Sequence, residues 1–353
     1  MKLLMITRKV DPHDALAGFT FNWVKKIGEN LDELYVISWQ KGDRGDLPAK
    51  IKTIFLPDNK LKKVLVLEKE LFKILPKVSG VFCHMNPEYT ILAAFLAKIF
   101  RKKIVSWYTH KTVSWRRRLV EVFADKILTA SKESFRDLWF KDKVEVTGHG
   151  IDLDVFNNID SYHGYDGIFH IITVGRISPT KNYESMIKAM TELKTEPARL
   201  IIVGDAILPS QIQYLKSLNE MVKRLKLDFT IDSKNYSKIS FAGWISNRKI
   251  PNSLKTTDLF INLSGTGSLD KAVLEAMACG CLVLTSNEAF KDILPPELMV
   301  EKSNPQKLAE KIKWLMNLPA ERKAGLRQQL RDEVVKNHNL DDLVKKIVAQ
   351  FYA

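Results

Sequence analysis

Two segments in the second half of the chain carry residue types that could hold a diphosphate. The first is HIITVGRISPTKNYESMIKAM, starting at His170. An apolar strand pattern runs into Val174-Gly175-Arg176, a loop follows, and Lys181 stands just before a helical pattern. Gly175 lets the chain turn tightly at the strand end. Arg176 and Lys181 then lie five residues apart around one loop. A guanidinium can grip two phosphate oxygens at once while an ammonium adds a point charge. The other reading of this pair is two ordinary loop cations.

The second segment is SGTGSLDKAVLEAMACGCLVLTSNEAF, from Ser264 to Phe290. A strand pattern enters a loop with Gly265 and Gly267, and a helix starts near Ser268 or Leu269. Helix starts expose unpaired N–H groups and a positive partial charge, which suits a phosphate. Glu275 lies within that helix among Ala272, Val273, Leu274, Ala276, Met277 and Ala278. A buried carboxylate needs donors. These are either ligand hydroxyls, such as those of a ribose, or a neighbouring Lys or backbone N–H.

The elements that place these segments follow one theme, repeated twice. In the first half, short apolar runs at 3–7, 34–38, 80–83, 104–108, 126–128 and 144–146 read as buried strands. Helical spacing is predicted at 19–30, 61–75, 89–100, 113–123 and 132–140. The theme restarts with strands at 170–174, 200–203, 239–241, 259–263 and 282–284. Helices are expected between them at 182–193, 209–225, 247–255 and 270–278, and three more at 305–316, 320–336 and 340–351 close the chain. Alternation of strand and helix predicts an α/β fold with two doubly wound parallel sheets. The polar stretch 157–167 reads as a linker. The expected domains are therefore 1–160 and 161–339, with the last helix, 340–353, returning to the first. A chain of 353 residues suits two domains.

In combination, G-R-x4-K after a strand and L-E-A-M-A-x-G roughly 90 residues later resemble glycosyltransferase family 4. The resemblance extends to Leu16-Ala17-Gly18 before the first helix, Trp107-Tyr108-Thr109-His110, Thr129-Ala130-Ser131 and His149-Gly150-Ile151-Asp152. It implies the GT-B architecture, two Rossmann-like domains facing across a cleft, and transfer of a sugar from a UDP- or GDP-linked donor to a glycan or lipid-linked acceptor. Such an enzyme retains anomeric configuration and needs neither metal nor cofactor. It would serve cell-envelope glycan synthesis. The resemblance also assigns roles. Arg176 and Lys181 would neutralise the leaving diphosphate, helped by Gly175 at the strand end. His110 would face the transferred sugar. Gly18 would offer its N–H to the distal phosphate, and Glu275 would hold the ribose hydroxyls. Gly243 and Trp244 would border the base. The segment Gly267-Ser268-Leu269-Asp270-Lys271-Ala272 would line the donor, with the N–H groups near Lys271 and Ala272 at the proximal phosphate.

The chain departs from the family at one telling place. The usual E-x7-E pair would put its first glutamate at residue 267, which is Gly267 here. Asp270 stands where the family often has glycine. It is either a relocated carboxylate for the sugar or a charge favoured by the helix start. Leu282 also replaces a family proline. Asp152-Leu153-Asp154 spells D-x-D, but its place at the domain crossover argues against a metal site. His84, His163 and His338 have no partner at ligand spacing, and Cys279-Gly280-Cys281 lacks the further ligands of a zinc site. No G-x-G-x-x-G follows the first strand, against a dehydrogenase. An epimerase or hydrolase of the same fold, a nucleotide-sugar sensor and a nucleic-acid binder are the rival functions, the last without a recognised motif.

Charge suggests where the protein works. Residues 1–150 hold 28 Lys and Arg against 17 Asp and Glu, and the remainder 27 against 24. No acid occurs between Glu88 and Glu121, where Lys98, Arg101, Lys102, Lys103, Lys111 and the run Arg116-Arg117-Arg118 lie. Interleaved with them are Phe100, Ile104, Trp107, Val113 and Trp115. The reading is a first domain docked on an anionic membrane surface, with the arginine run essential to docking. The alternatives are a basic pocket for a phosphorylated acceptor or a plain solvated face. The N-terminus has neither the length nor the cleavage pattern of a signal peptide, and three cysteines suit a reducing cytoplasm.

Overall fold

The computed structural model describes residues 1–14, 18–157, 166–227, 238–265 and 267–352. The expected boundary at 160, most of the expected linker, His163, and Leu16 and Ala17 lie outside the described residues. The chain divides into two compact units, Met1–Asp152 with Asn337–Ala353, and Leu153–Lys336.

The first unit holds β1 (Lys2–Thr7), α1 (Gly18–Glu29), β2 (Glu33–Ser38), β3 (Ile51–Phe55), α2 (Lys60–Ile74), β4 (Gly80–His84), α3 (Pro87–Ile99), β5 (Lys103–Trp107), α4 (Trp115–Phe123), β6 (Lys126–Thr129) and β7 (Val144–Val146). All seven strands are parallel, in the order β3-β2-β1-β4-β5-β6-β7. Strands β1 and β4 are buried almost throughout, which is why their sequences read as unbroken apolar runs. The edge strand β3 is only half buried, and Lys52 and Thr53 interrupt its apolar pattern. The apolar-run criterion therefore passes over it. With right-handed crossovers, α2, α3 and α4 cover one face of this sheet and α1 the other. Helices α2 and α3, and α3 and α4, are accordingly neighbours.

The second unit holds β8 (Phe169–Val174), α5 (Tyr183–Thr191), β9 (Ala198–Val203), α6 (Pro209–Arg224), β10 (Ile239–Gly243), α7 (Ile250–Lys255), β11 (Leu259–Asn262), α8 (Lys271–Ala278), β12 (Leu282–Thr285), α9 (Pro305–Asn317) and α10 (Ala320–Asn337), whose last residue already belongs to the first unit. Its five parallel strands run β10-β9-β8-β11-β12. The final helix, α11 (Leu340–Ala349), belongs to the first unit. Ile151 and Asn339 form a parallel bridge, the Leu340 N–H donates to the Ile151 carbonyl at 2.9 Å, and Lys26 of α1 pairs with Asp341 at 3.0 Å. Helix α11 thus lies on α1, so that face of the first sheet is covered.

One expected helix does not form. Residues 132–140 run as turns and bends, with Asp137 left-handed at φ 56°. The backbone groups a helix would bond internally are taken by α4. Arg117 donates to the carbonyls of Arg136 and Asp137, and Glu121 accepts the Trp139 N–H at 2.7 Å. This also corrects the reading of the arginine run. Arg117 is fully buried and paired with Glu121 at 3.0 Å, and Arg118 bonds the same carboxylate. Only Arg116 of the three is exposed. Ile104 and Trp107 are buried strand residues, as the apolar run at 104–108 predicts.

Candidate functional site

Strand order in the second sheet reverses between β8 and β11. Ligands of open parallel sheets bind outside the carboxyl ends of the strands at such a switch point. The loops leaving these two strands are the ones that carry Arg176, Lys181 and Asp270.

On the β8 side the loop is held by its backbone. The Gly175 N–H donates to Val203 O at 2.9 Å, and the buried Tyr183 hydroxyl donates to Gly175 O at 3.0 Å and Arg176 O at 3.2 Å. Ile177 is buried beneath, its N–H on Asp205 O. Arg176 is exposed, with no ion-pair partner among the described residues. The Lys181 side chain crosses Gly175, where a Cβ would sit 3.1 Å from its Cε. Glycine at 175 therefore leaves the room that brings the Lys181 ammonium back over the strand end.

On the β11 side, Asp270 occupies the N-cap position of α8, but its carboxylate makes no capping hydrogen bond. Oδ1 accepts from Lys181 Nζ at 2.8 Å. Oδ2 accepts from the Ser264 hydroxyl and from Asn287 Nδ2, the latter at 3.0 Å. Asn287 is fully buried and also donates to Ser268 O at 2.7 Å. The side chain thus fastens Lys181 to the loop instead of closing the helix start. Gly267 is left-handed at φ 65°, a backbone that a glutamate there would adopt only under strain. Leu269 is buried, while Ser268, Lys271 and Ala272 are half-buried around the start of α8.

Glu275 is buried, and Lys271, one turn earlier, holds its Oε1 at 2.9 Å. Asn247 approaches the same oxygen at 3.5 Å from the loop after β10. That loop begins with Gly243, left-handed at φ 69°, and the exposed Trp244. The second unit therefore gathers every expected residue of its half around the ends of β8, β10 and β11. Four contributors carried no signal in sequence: Tyr183, Ser264 and Asn287, which anchor the loops, and Lys302, whose Nζ lies 3.1 Å from where a Cβ on Gly265 would be. Their function depends on tertiary contact and not on spacing.

Gly18 and His110 belong to the first unit. The Gly18 N–H already donates to Asp14 O at 3.0 Å, so a phosphate would reach it only after that bond opens. His110 follows β5 edge-on to Tyr108, with ring centroids 5.4 Å apart, and desolvation holds its imidazole below the usual pKa. Among the described residues no group of three His, Cys, Asp or Glu side chains is placed to hold a metal.

Asp270→Asn separates the possible roles of this carboxylate. Freed from its counter-ion, Lys181 is expected to bind a nucleoside diphosphate as well as or better than before. The intact nucleotide-sugar should lose affinity relative to it, by about tenfold for one lost charge-assisted hydrogen bond. Calorimetry showing equal losses for both ligands would assign Asp270 to loop structure alone.

Comparison with known proteins identifies the family and the fold. The family model described as glycosyl transferases group 1 matches residues 158–338. The UDP-Gal:alpha-D-GlcNAc-diphosphoundecaprenol alpha-1,3-galactosyltransferase of Escherichia coli is 25% identical over 225 residues, 62% of this chain and 54% of that protein. The N-acetylgalactosamine-N,N'-diacetylbacillosaminyl-diphospho-undecaprenol 4-alpha-N-acetylgalactosaminyltransferase of Campylobacter jejuni is 26% identical over 215 residues, 57% of this chain and 53% of that protein. The chain thus spans about half the length of these curated relatives. Among solved structures, Anabaena HepE in complex with UDP superposes with a TM-score of 0.79 at 17% identity, covering all of both chains. Sucrose-phosphate synthase from Thermosynechococcus elongatus gives 0.78 at 14% identity, covering 100% of this chain and 98% of that one. These likenesses show the GT-B fold. With a family model matching more than half of its length, the chain belongs to the group 1 glycosyl transferases.

Proposed function

We propose that the protein transfers a sugar from a nucleoside-diphosphate sugar to a lipid-linked acceptor presented at an anionic membrane surface, with retention of anomeric configuration. The observation that carries this reading is the convergence of Arg176, Lys181 and the start of α8 on the switch point of the second sheet. Negative charge grows on the leaving diphosphate as the glycosidic bond breaks. Fixed cations and a helix start stabilise that charge most when it is fully developed. In this proposal they take the part a divalent metal plays in other transferases. Glu275 holds the ribose, Trp244 and Gly243 border the base, and His110 meets the sugar. The roles of His110 and Gly18 rest on the family resemblance.

UDP is the proposed nucleotide, supported by the UDP complex of HepE and the UDP-Gal donor of the Escherichia coli relative. The diphosphoundecaprenol-linked acceptors named for two relatives support the lipid-linked class. A thermal-shift series with UDP-, GDP- and ADP-sugars tests the donor, since a ligand bound only by the folded state raises its melting point. UDP-sugars are expected to give the largest shift. No shift with any of the three would reject the reading. Product analysis with and without acceptor then separates transfer from hydrolysis or epimerisation.

A further inference from the structure

Helix α3 is apolar on every side, with ILAAFLA at residues 91–97, yet it is not buried on every side. Its inner face, Tyr89, Ala93 and Ala97, packs on the first sheet, while Phe95 is 73% and Ile99 57% exposed on the outer face. A helix apolar all round is normally enclosed. At 13 residues α3 is also too short to cross a bilayer, which needs about 20. No helix among the described residues is long and apolar enough to do so.

The neighbours of α3 repeat the anomaly. On α2, Leu61, Leu65 and Phe72 are exposed at i, i+4 and i+11, along one outer stripe. The Phe72 ring meets Phe100 at 5.5 Å, joining this stripe to the end of α3. On α4, Trp115 is 68% exposed and Val122 lies on the same side two turns later. The face opposite, by contrast, has α11 laid over α1.

Charge identifies what would cover this face. At the C-terminal end of α3 lies a pocket of about 450 Å³, lined by Lys98, Arg101, Lys102 and Lys103 with Asp125 as its one acid. The Asp125 carboxylate is engaged by the Ile104 N–H at 2.7 Å. None of the four cations has an ion-pair partner among the described residues. Four like charges around one pocket repel each other until an anion enters. A second copy of this strongly basic chain would bring like charge to the pocket, whereas a bilayer of acidic phospholipid supplies both anions and an apolar phase.

We propose that the outer face of α2, α3 and α4 docks flat on an anionic lipid bilayer, with Phe95 and Ile99 entering the acyl boundary and phosphate headgroups seated in the four-cation pocket. This deepens the membrane-proximal part of the function proposed above and rests on it. It also moves the docking surface from the arginine run to the helix layer.

Co-sedimentation of the full chain with vesicles of equal parts phosphatidylglycerol and phosphatidylcholine tests it. The wild type is expected to pellet with these, to remain in the supernatant with phosphatidylcholine alone, and to be released by high salt. The double variant Phe95→Ser, Ile99→Ser should lose roughly tenfold or more in partitioning. Lys98→Gln with Lys102→Gln should lose roughly fivefold for each cation removed, and more at low salt. Phe95, Lys98 and Ile99 are exposed and Lys102 is half-buried, so folding is spared, and an unchanged circular-dichroism spectrum and thermal unfolding midpoint in each variant check it. Failure of the wild type to pellet overturns the proposal. So does wild-type partitioning of the Ser variant, or a dimer that the Ser variant dissolves. If vesicles bind but no nucleotide-sugar does, the donor reading fails and the docking surface stands.

Discussion

Arg176→Ala and Lys181→Ala are each expected to lower turnover by roughly 10- to 150-fold while leaving the fold intact. The range follows from one charge-assisted contact of about 1.5–3 kcal/mol. It grows if the contact strengthens as charge develops on the leaving group. The two variants should differ in a way the geometry dictates. Arg176 is exposed and its loop is fixed through backbone bonds to Tyr183 and Val203, so truncation removes a charge and little else. Lys181 is the counter-ion of Asp270, so truncation also leaves that carboxylate facing the proposed diphosphate position. Lys181→Ala should therefore be the more damaging, and adding Asp270→Asn to it should restore part of the loss. Steady-state kinetics over the double-mutant cycle measures that coupling. Near-wild-type turnover in both single variants would remove them from the mechanism. Additive losses for Lys181 and Asp270 would show that the ion pair has no bearing on catalysis.

The same pair shows how far the sequence could be read. Strand ends, glycine loops and the order of α/β units are local or periodic properties, and they placed Arg176, Lys181 and Glu275 on the correct elements. A carboxylate's partners are not local. Asp270 is joined to Lys181 across 89 positions and to Asn287 across 17. Spacing left its role open between helix cap and sugar contact, and its bonds to Lys181, Ser264 and Asn287 take the carboxylate away from the cap. Glu275 went the other way: its buried setting was legible from small neighbours, and the lysine that satisfies it stands four positions earlier on the same helix. The missed β3 and the unformed helix at 132–140 have one cause. Apolar pattern reports burial, and a half-buried edge strand or a segment whose backbone is bonded by distant side chains gives the pattern of something else.

Arg117→Ala is expected to destabilise the first unit by about 3–5 kcal/mol, the usual cost of breaking a buried ion pair from one side. The guanidinium is fully buried against the Phe135 ring, 4.5 Å from its centroid. It bonds Glu121 and the carbonyls of Arg136 and Asp137, and Glu121 in turn receives the Trp139 N–H. Removal leaves the Arg136 carbonyl without its donor, the Asp137 carbonyl with Arg118 only, and the buried Glu121 carboxylate held by Arg118 and the Trp139 N–H. Those remaining bonds place the expected cost nearer the lower end. Three comparisons fix the interpretation. Arg116→Ala, at an exposed pair with Glu88, should cost under about 1 kcal/mol. Arg117→Met with Glu121→Leu should be milder than Arg117→Ala, because no charge is left unpaired. Amide hydrogen exchange should quicken over 131–143, where Arg117 supplies bonds that helix or sheet would otherwise provide. Denaturant unfolding followed by tryptophan fluorescence reads the stability, with the second unit's transition unmoved. An Arg117→Ala protein that unfolds with the wild type would mean that the α4 network does not hold this segment.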